Sequence, residues 1–285
     1  MSTTQKRVLL VVLAHPDDET FGMGGTLAHY ARQGVEVHLV CATRGEVGEV
    51  EPERLQGFDS IGDLREHELC CAAEVLGLRK VHFLDYRDSG MPGTADNQNP
   101  QALVQAPVEK VAAQVAAYMR ELRPQVVLTF DPVGGYMHPD HIAIHNATVL
   151  AFEMAGDPQA KGQTLPSFRP QKLYFHTMPH GFMKLAVKLM PLFGKNPSKF
   201  GKNEDIDLTA VLAHEFLTNA RIDYKKVARI REEASACHAS QGGDRSSGYL
   251  VTWLLRQINS SETFMRAVPP PVKGHVEKDL FEGVE

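Results

Sequence analysis

Val8-Leu9-Leu10-Val11-Val12-Leu13, running straight into Ala14-His15-Pro16-Asp17-Asp18-Glu19, decides the fold of this chain. Six consecutive apolar residues read as a strand buried on both faces, as in a parallel sheet. A helical pattern follows at about residues 20–33. The polar cluster therefore sits in a strand-to-helix turn, at the edge where open α/β sheets build ligand sites. His15 and Asp18 are three apart, so in a turn entering a helix they can face one point. A nitrogen and a carboxylate oxygen converging there suit a zinc-like ion. Asp17, between them, points elsewhere and can serve as a base. The plainer reading is that Asp17, Asp18 and Glu19 simply favour a helix N-terminus, where the dipole rewards negative charge. The stretch alone does not choose between the two.

Tyr136-Met137-His138-Pro139-Asp140-His141 tips the balance. It follows a second apolar strand, Val126-Val127-Leu128-Thr129-Phe130, and opens a helix over about 139–154, with Pro139 near its first position. Two such turns can meet at one edge of a parallel sheet. His15, Asp18 and one of His138 or His141 then supply three protein ligands, the layout of a catalytic metal site with one position open. From spacing alone His138 and His141 are interchangeable.

The pairing of His15-Pro16-Asp17-Asp18-Glu19 with His138-Pro139-Asp140-His141 resembles the LmbE-like, or PIG-L, family of zinc-dependent N-acetylglucosaminyl deacetylases. That family includes the deacetylases of mycothiol and bacillithiol biosynthesis and the mycothiol S-conjugate amidase. The resemblance is strongest over residues 7–155, weaker to about 268, and has no counterpart at 180–205. It implies that His15, Asp18 and His141 hold zinc and that Asp17 is the general base. It implies Tyr136 as oxyanion donor, with His138, kept charged by Asp140, as the other candidate. Iron(II) also suits two histidines and one carboxylate. The implied reaction removes an acetyl group from an N-acetylglucosamine-containing small molecule. Amide hydrolysis of a thiol conjugate, or sugar or nucleotide binding without hydrolysis, are the alternatives.

Substrate contacts are expected from the same resemblance. Thr43-Arg44-Gly45-Glu46 ends the second strand, and Glu46 is either a hydroxyl contact or a solvated loop carboxylate. Arg65, on a helix over 59–76, is a substrate contact or else a surface ion pair with Glu66 or Glu68. Asp88, in Asp88-Ser89-Gly90-Met91, suits sugar hydroxyls, with Met91 beside it; its plainer role is a turn cap. His238, in His238-Ala239-Ser240-Gln241, is a pocket residue or a structural histidine.

The expected fold is Rossmann-like α/β, a mostly parallel twisted sheet flanked by helices with a small C-terminal extension. The expected units are a catalytic core over 1–176, a substrate-side extension or lid over 177–268 that completes the sheet, and a flexible tail over 269–285. Within the extension the pattern suggests a short strand at 207–210 and helices at 221–237 and 246–258, and Glu262-Thr263-Phe264 resembles the family's closing strand, which implies an addition to the sheet edge. The small residues Gly22 to Gly25 suggest close packing of the first helix on the sheet rather than a dinucleotide fingerprint, whose spacing they lack.

The 285 residues are 43% hydrophobic, enough for one large domain. With 30 Lys and Arg against 35 Asp and Glu, the formal charge of −5 argues against a nucleic-acid surface. No signal peptide or membrane-spanning run is visible, so a cytoplasmic enzyme without stable membrane insertion is expected. Four cysteines without CxxC spacing suggest neither a disulfide scaffold nor a zinc ribbon. The apolar run at 180–193 reads as a lid or subunit contact, which leaves room for a homo-oligomer.

Overall fold

The computed structural model describes residues 6–178, 184, 187–193, 196–199, 207–244 and 260–285. Strand β1 (Val8–Leu13) is buried throughout, as its unbroken apolar run requires. Helix α1 (Asp18–Arg32) follows, then β2 (Glu36–Cys41), α2 (Ile61–Leu76) and β3 (Lys80–Phe83). After a long loop come α3 (Val108–Leu122), β4 (Val126–Phe130), the short α4 (Gly134–Met137), α5 (Pro139–Gly156) and β5 (Lys172–Thr177). The last elements are α6 (Leu208–Leu212), β6 (Ala220–Asp223), α7 (Ala228–Cys237) and β7 (Ser261–Val268).

The seven strands form one sheet in the order β3-β2-β1-β4-β5-β7-β6. The first five run parallel, and β7 pairs antiparallel with both β5 and β6. Chain progression reverses between β1 and β4, which pair directly through Leu9–Val126, Leu10–Val127 and Val11–Leu128. The crevice beyond the carboxyl ends of these two strands is the topological switch point, where such sheets bind ligands.

Three sequence expectations need correction. Residues 207–210 begin α6 instead of forming a strand, because the Asp207 carboxylate accepts from the Thr209 and Ala210 amides and caps the helix. Residues 221–223 belong to β6, where burial alternates with period two against β7, so α7 starts only at Ala228. The segment 269–285 is not a loose tail. Leu280 and Phe281 are buried, and the Tyr30 hydroxyl donates to Asp279 Oδ1 at 2.9 Å. Glu277 lies buried between Lys172 Nζ at 2.7 Å and Arg266 Nη1 at 2.6 Å, and it also accepts from the Tyr174 hydroxyl at 2.6 Å. Glu277→Ala strands two buried cations, which costs about 3–5 kcal/mol. A thermal melt is expected to shift down by on the order of 10 °C; an unchanged melt would mean that the tail is not anchored by this cluster.

One disulfide, Cys71–Cys237, joins α2 to α7 across 166 residues. A separation that long leaves no local spacing signal for a reader of the sequence. Cys41, at the end of β2, is buried and free. Gly25 permits the close packing: a Cβ there would stand 2.2 Å from the Tyr224 ring, and its amide donates to Glu262 of β7 at 3.1 Å. The expected helix at 246–258 and most of the 180–193 run lie outside the described residues.

Candidate active site

The turn after β1 places His15 at the mouth of the crevice, and α1 begins at Asp18. Across it, α4 and α5 follow β4. His138 caps α5, its Nδ1 accepting from the Asp140 amide at 3.2 Å, and His141 sits on the first turn. His15 Nδ1 lies 3.2 Å from His141 Nε2 and 3.6 Å from Asp18 Oδ2, while Asp18 Oδ1 lies 3.2 Å from His141 Nε2. Three potential ligand residues thus meet, with one Asp18 oxygen facing each ring.

The outward nitrogens of both rings are tied down. His15 Nε2–H donates to Asp140 Oδ2 at 3.1 Å, and Asp140 also accepts from the Ser89 amide at 2.9 Å and from the Ser89 hydroxyl. His141 Nδ1–H donates to the Gly134 carbonyl at 3.1 Å. These contacts leave the lone pairs of His15 Nδ1 and His141 Nε2 aimed at the shared point. That is how proteins orient metal-binding histidines. A second convergence, His15 with His138 and His141, is also close enough to hold an ion, as is His15 with Asp88 and Asp140.

The electrostatics call for positive charge at this point. Burial opposes protonation of His15, yet Asp88, Asp140 and Asp18 outweigh it and raise its pKa well above the ordinary value. A divalent cation answers the same field without a proton. Burial pushes Asp17 up to about 6, against the pull of Arg65. His138 goes the other way: burial, with His15 and His141 adding to it, drives its pKa down to about 2, so it is neutral.

A cavity of about 840 Å³ opens over this constellation. Asp17, Asp18, Tyr136 and His141 line it on one side, and His176 and Arg231 lie further along.

Residues 10–152 match the sequence profile described as PIG-L, GlcNAc-PI de-N-acetylase. A 1D-myo-inositol 2-acetamido-2-deoxy-alpha-D-glucopyranoside deacetylase from Rhodococcus jostii is 38% identical over 295 residues, covering 98% of this chain and 99% of that protein. The enzyme of the same name from Geodermatophilus obscurus is 36% identical over 247 residues, covering 84% of each. The chain belongs to the PIG-L family. Its fold also resembles the solved N,N'-diacetylchitobiose deacetylase from Pyrococcus horikoshii, with a TM-score of 0.61 at 20% identity over 92% of this chain and 84% of that one.

Within this PIG-L chain the expected motif residues meet at one place, but several stand in unexpected relations. Asp140 does not pair with His138. Its carboxylate is taken by His15 and Ser89, and it is the Asp140 backbone amide that bonds the His138 ring. His138 is therefore not kept charged. Arg65 is 4% exposed and forms no surface ion pair. Its Nη1 donates to the Gly45 carbonyl at 2.9 Å, and its Nη2 donates to the Pro16 carbonyl at 2.7 Å and to Asp17 Oδ2 at 3.1 Å. Gly45 is needed there: φ is +67°, and a Cβ would meet the Arg65 guanidinium at 2.1 Å.

Asp88 is also 4% exposed. It accepts from the Gly90 amide at 2.8 Å, so its turn-capping role is real, and its Oδ1 lies 3.6 Å from His15 Nε2. Glu46 accepts from the Asp88 amide at 3.0 Å and borders a separate, smaller cavity. The Met91 carbonyl accepts from the Thr94 amide and from Asn97 Nδ2, both within its own loop. His238 is fully buried, with Nε2 2.7 Å from Glu19 Oε1, and presents no surface to a ligand. None of these five lines the large cavity.

Ser89, which holds Asp140 against His15, and the Gly134 carbonyl, which orients His141, escaped the sequence reading, as did the contact between Glu19 and the Asp17 amide. The Asp88-Ser89-Gly90-Met91 turn carried a signal for Ser89. A backbone carbonyl such as that of Gly134 carries none.

Among the described residues no helix is long and apolar enough to cross a membrane.

Proposed function

We propose that this protein is a metal-dependent N-deacetylase that frees the amine of an N-acetylglucosamine unit in a small molecule and releases acetate. The observation that carries the reading is an unliganded carboxylate, Asp17, beside a His15–Asp18–His141 triangle whose ring nitrogens are oriented from behind. The relatives named for the inositol glycoside of N-acetylglucosamine make that compound the first substrate to test.

His15 Nδ1, Asp18 and His141 Nε2 would hold the ion, and zinc fits two imidazoles and one carboxylate. Such an ion acidifies a water and polarises an amide carbonyl. The chain supplies the rest. Asp17 Oδ2 is fixed by Arg65, and Oδ1 has no hydrogen-bond partner among the described residues, so it is free to take the proton of the attacking water. His138 accepts at Nδ1 and is neutral, which puts its proton on Nε2. It serves as an uncharged donor to the developing oxyanion, with the Tyr136 phenol as a second donor. As the carbon–nitrogen bond breaks, Asp17 returns its proton to the leaving amine.

His138→Ala is expected to keep its metal and to lose roughly 10²–10³-fold in kcat, the usual cost of an oxyanion donor. Loss of metal instead would transfer the ion to the His15–His138–His141 set. The function itself is tested by acetate release from a panel: free N-acetylglucosamine, its inositol and malate glycosides, and a mycothiol-type conjugate. Turnover on one member, with metal near one per chain, supports the proposal. Bound metal with no turnover on any member refutes it.

A further inference from the structure

We propose that Glu19 and His238 form a positioning pair for Asp17, holding its backbone in the conformation that leaves its carboxylate free for chemistry. The proposal rests on the reading of Asp17 as the base.

Asp17 is the N-cap of α1, where an aspartate ordinarily folds its carboxylate over the first amides of the helix. Here it makes no such bond. Its backbone stands at φ 112°, ψ −27°, a region that L side chains avoid unless their surroundings impose it. Hydrogen bonds hold it on both sides. The Asp17 amide donates to Glu19 Oε2 at 3.0 Å, which fastens the backbone from the amide side, while the Thr20 and Phe21 amides donate to the Asp17 carbonyl at 3.0 and 2.9 Å and need nothing from its carboxylate.

Glu19 can do this only if it stays put inside the protein. It is 0% exposed, and a buried carboxylate needs donors. Its other oxygen faces His238 Nε2 at 2.7 Å and the Thr20 hydroxyl. His238 is anchored in turn. It follows Cys237, which is bonded to Cys71 of α2, and the amide and hydroxyl of nearby Ser240 both donate to Glu68 of α2 at 2.7 Å. The same helix carries Arg65, which grips the Asp17 carboxylate and the Pro16 carbonyl. Asp17 is therefore held by its amide through α7 and by its carboxylate through α2, and the two helices are covalently joined. Neither Glu19 nor His238 lines the cavity.

The test compares His238→Leu, which keeps bulk but has no donor, with His238→Gln, which restores an N–H. Hydrogen exchange of the Asp17 amide is read in the metal-free protein, and kcat, KM and metal content in the loaded one. For His238→Leu, kcat is expected to fall roughly 10- to 100-fold with KM within about threefold, as for a misplaced catalytic group. Metal content should stay at the wild-type level and the Asp17 amide should exchange faster; His238→Gln should recover most of both losses. An Asp17 amide that exchanges at the same rate in His238→Leu overturns the proposal, and so does a His238→Gln variant no better than leucine. In the unsubstituted protein the amide should be strongly protected, and an unprotected amide overturns the proposal even if the leucine variant fails to fold. Wild-type activity in Asp17→Asn refutes the base reading separately, while exchange still decides whether the pair holds the backbone.

Discussion

Asp17→Asn is expected to leave a folded, metal-loaded protein with almost no turnover, its kcat lower by roughly 10²–10⁴-fold, the range for a general base. The amide is isosteric and tolerates the left-handed backbone at φ 112°. It keeps an oxygen for Arg65 and loses only basicity. Asp17 is not in the triangle of facing ligand atoms, so metal analysis should read as in wild type. The acid limb of the pH profile tests the same group. A base works unprotonated, and burial sets Asp17 at about 6 before any ion is added. A cation beside it favours the carboxylate and lowers that value. Activity should therefore be lost as pH falls through about 6 or below, and the limb should vanish with the residue. An asparagine variant with wild-type kcat would remove Asp17 from the chemistry.

His141→Ala is expected to abolish both metal binding and activity. Its Nε2 lies 3.2 Å from both His15 Nδ1 and Asp18 Oδ1, so its removal opens the triangle at one corner. The loss of turnover should be at least as large as for Asp17→Asn, because water and carbonyl activation go together. A readout independent of activity is available. An ion that binds only the folded chain raises its melting temperature with concentration. Adding zinc or iron(II) to the stripped wild-type protein should shift the melt upward, and the better-fitting ion should do so at lower concentration. The same addition to His141→Ala should shift nothing. An alanine variant that takes up one metal per chain would show that another set, such as His15 with Asp88 and Asp140, holds the ion.

The core of the sheet was readable because its signals are local. Val8–Leu13 and Val126–Phe130 are continuous apolar runs, and such runs suit strands covered on both faces. His15, Asp18 and one of His138 or His141 were readable as a set because they lie in the turns that follow those strands, and the choice of His141 came from the family resemblance. The parallel order of the strands then brings both turns to one edge. Period-based reading failed over 207–223, where a capping aspartate and a short edge strand decide the structure. It failed at the tail for a different reason. A charged, proline-rich stretch looks solvated until Lys172, distant in sequence, and Arg266 of β7 are found waiting for Glu277.

Local pattern by itself thus determined the parallel core of the sheet and the two loaded turns, and the resemblance of their motifs named the chemistry. Tertiary structure alone decided which partner each site group has. Asp140 serves His15 instead of His138, Arg65 serves Asp17 instead of its helix neighbours, and His238 serves Glu19 from 219 residues away. The physical reason is one of range. Strand and helix periodicity arise from contacts within a few residues, whereas a buried charge takes whichever counter-charge the packed chain brings within about 3 Å.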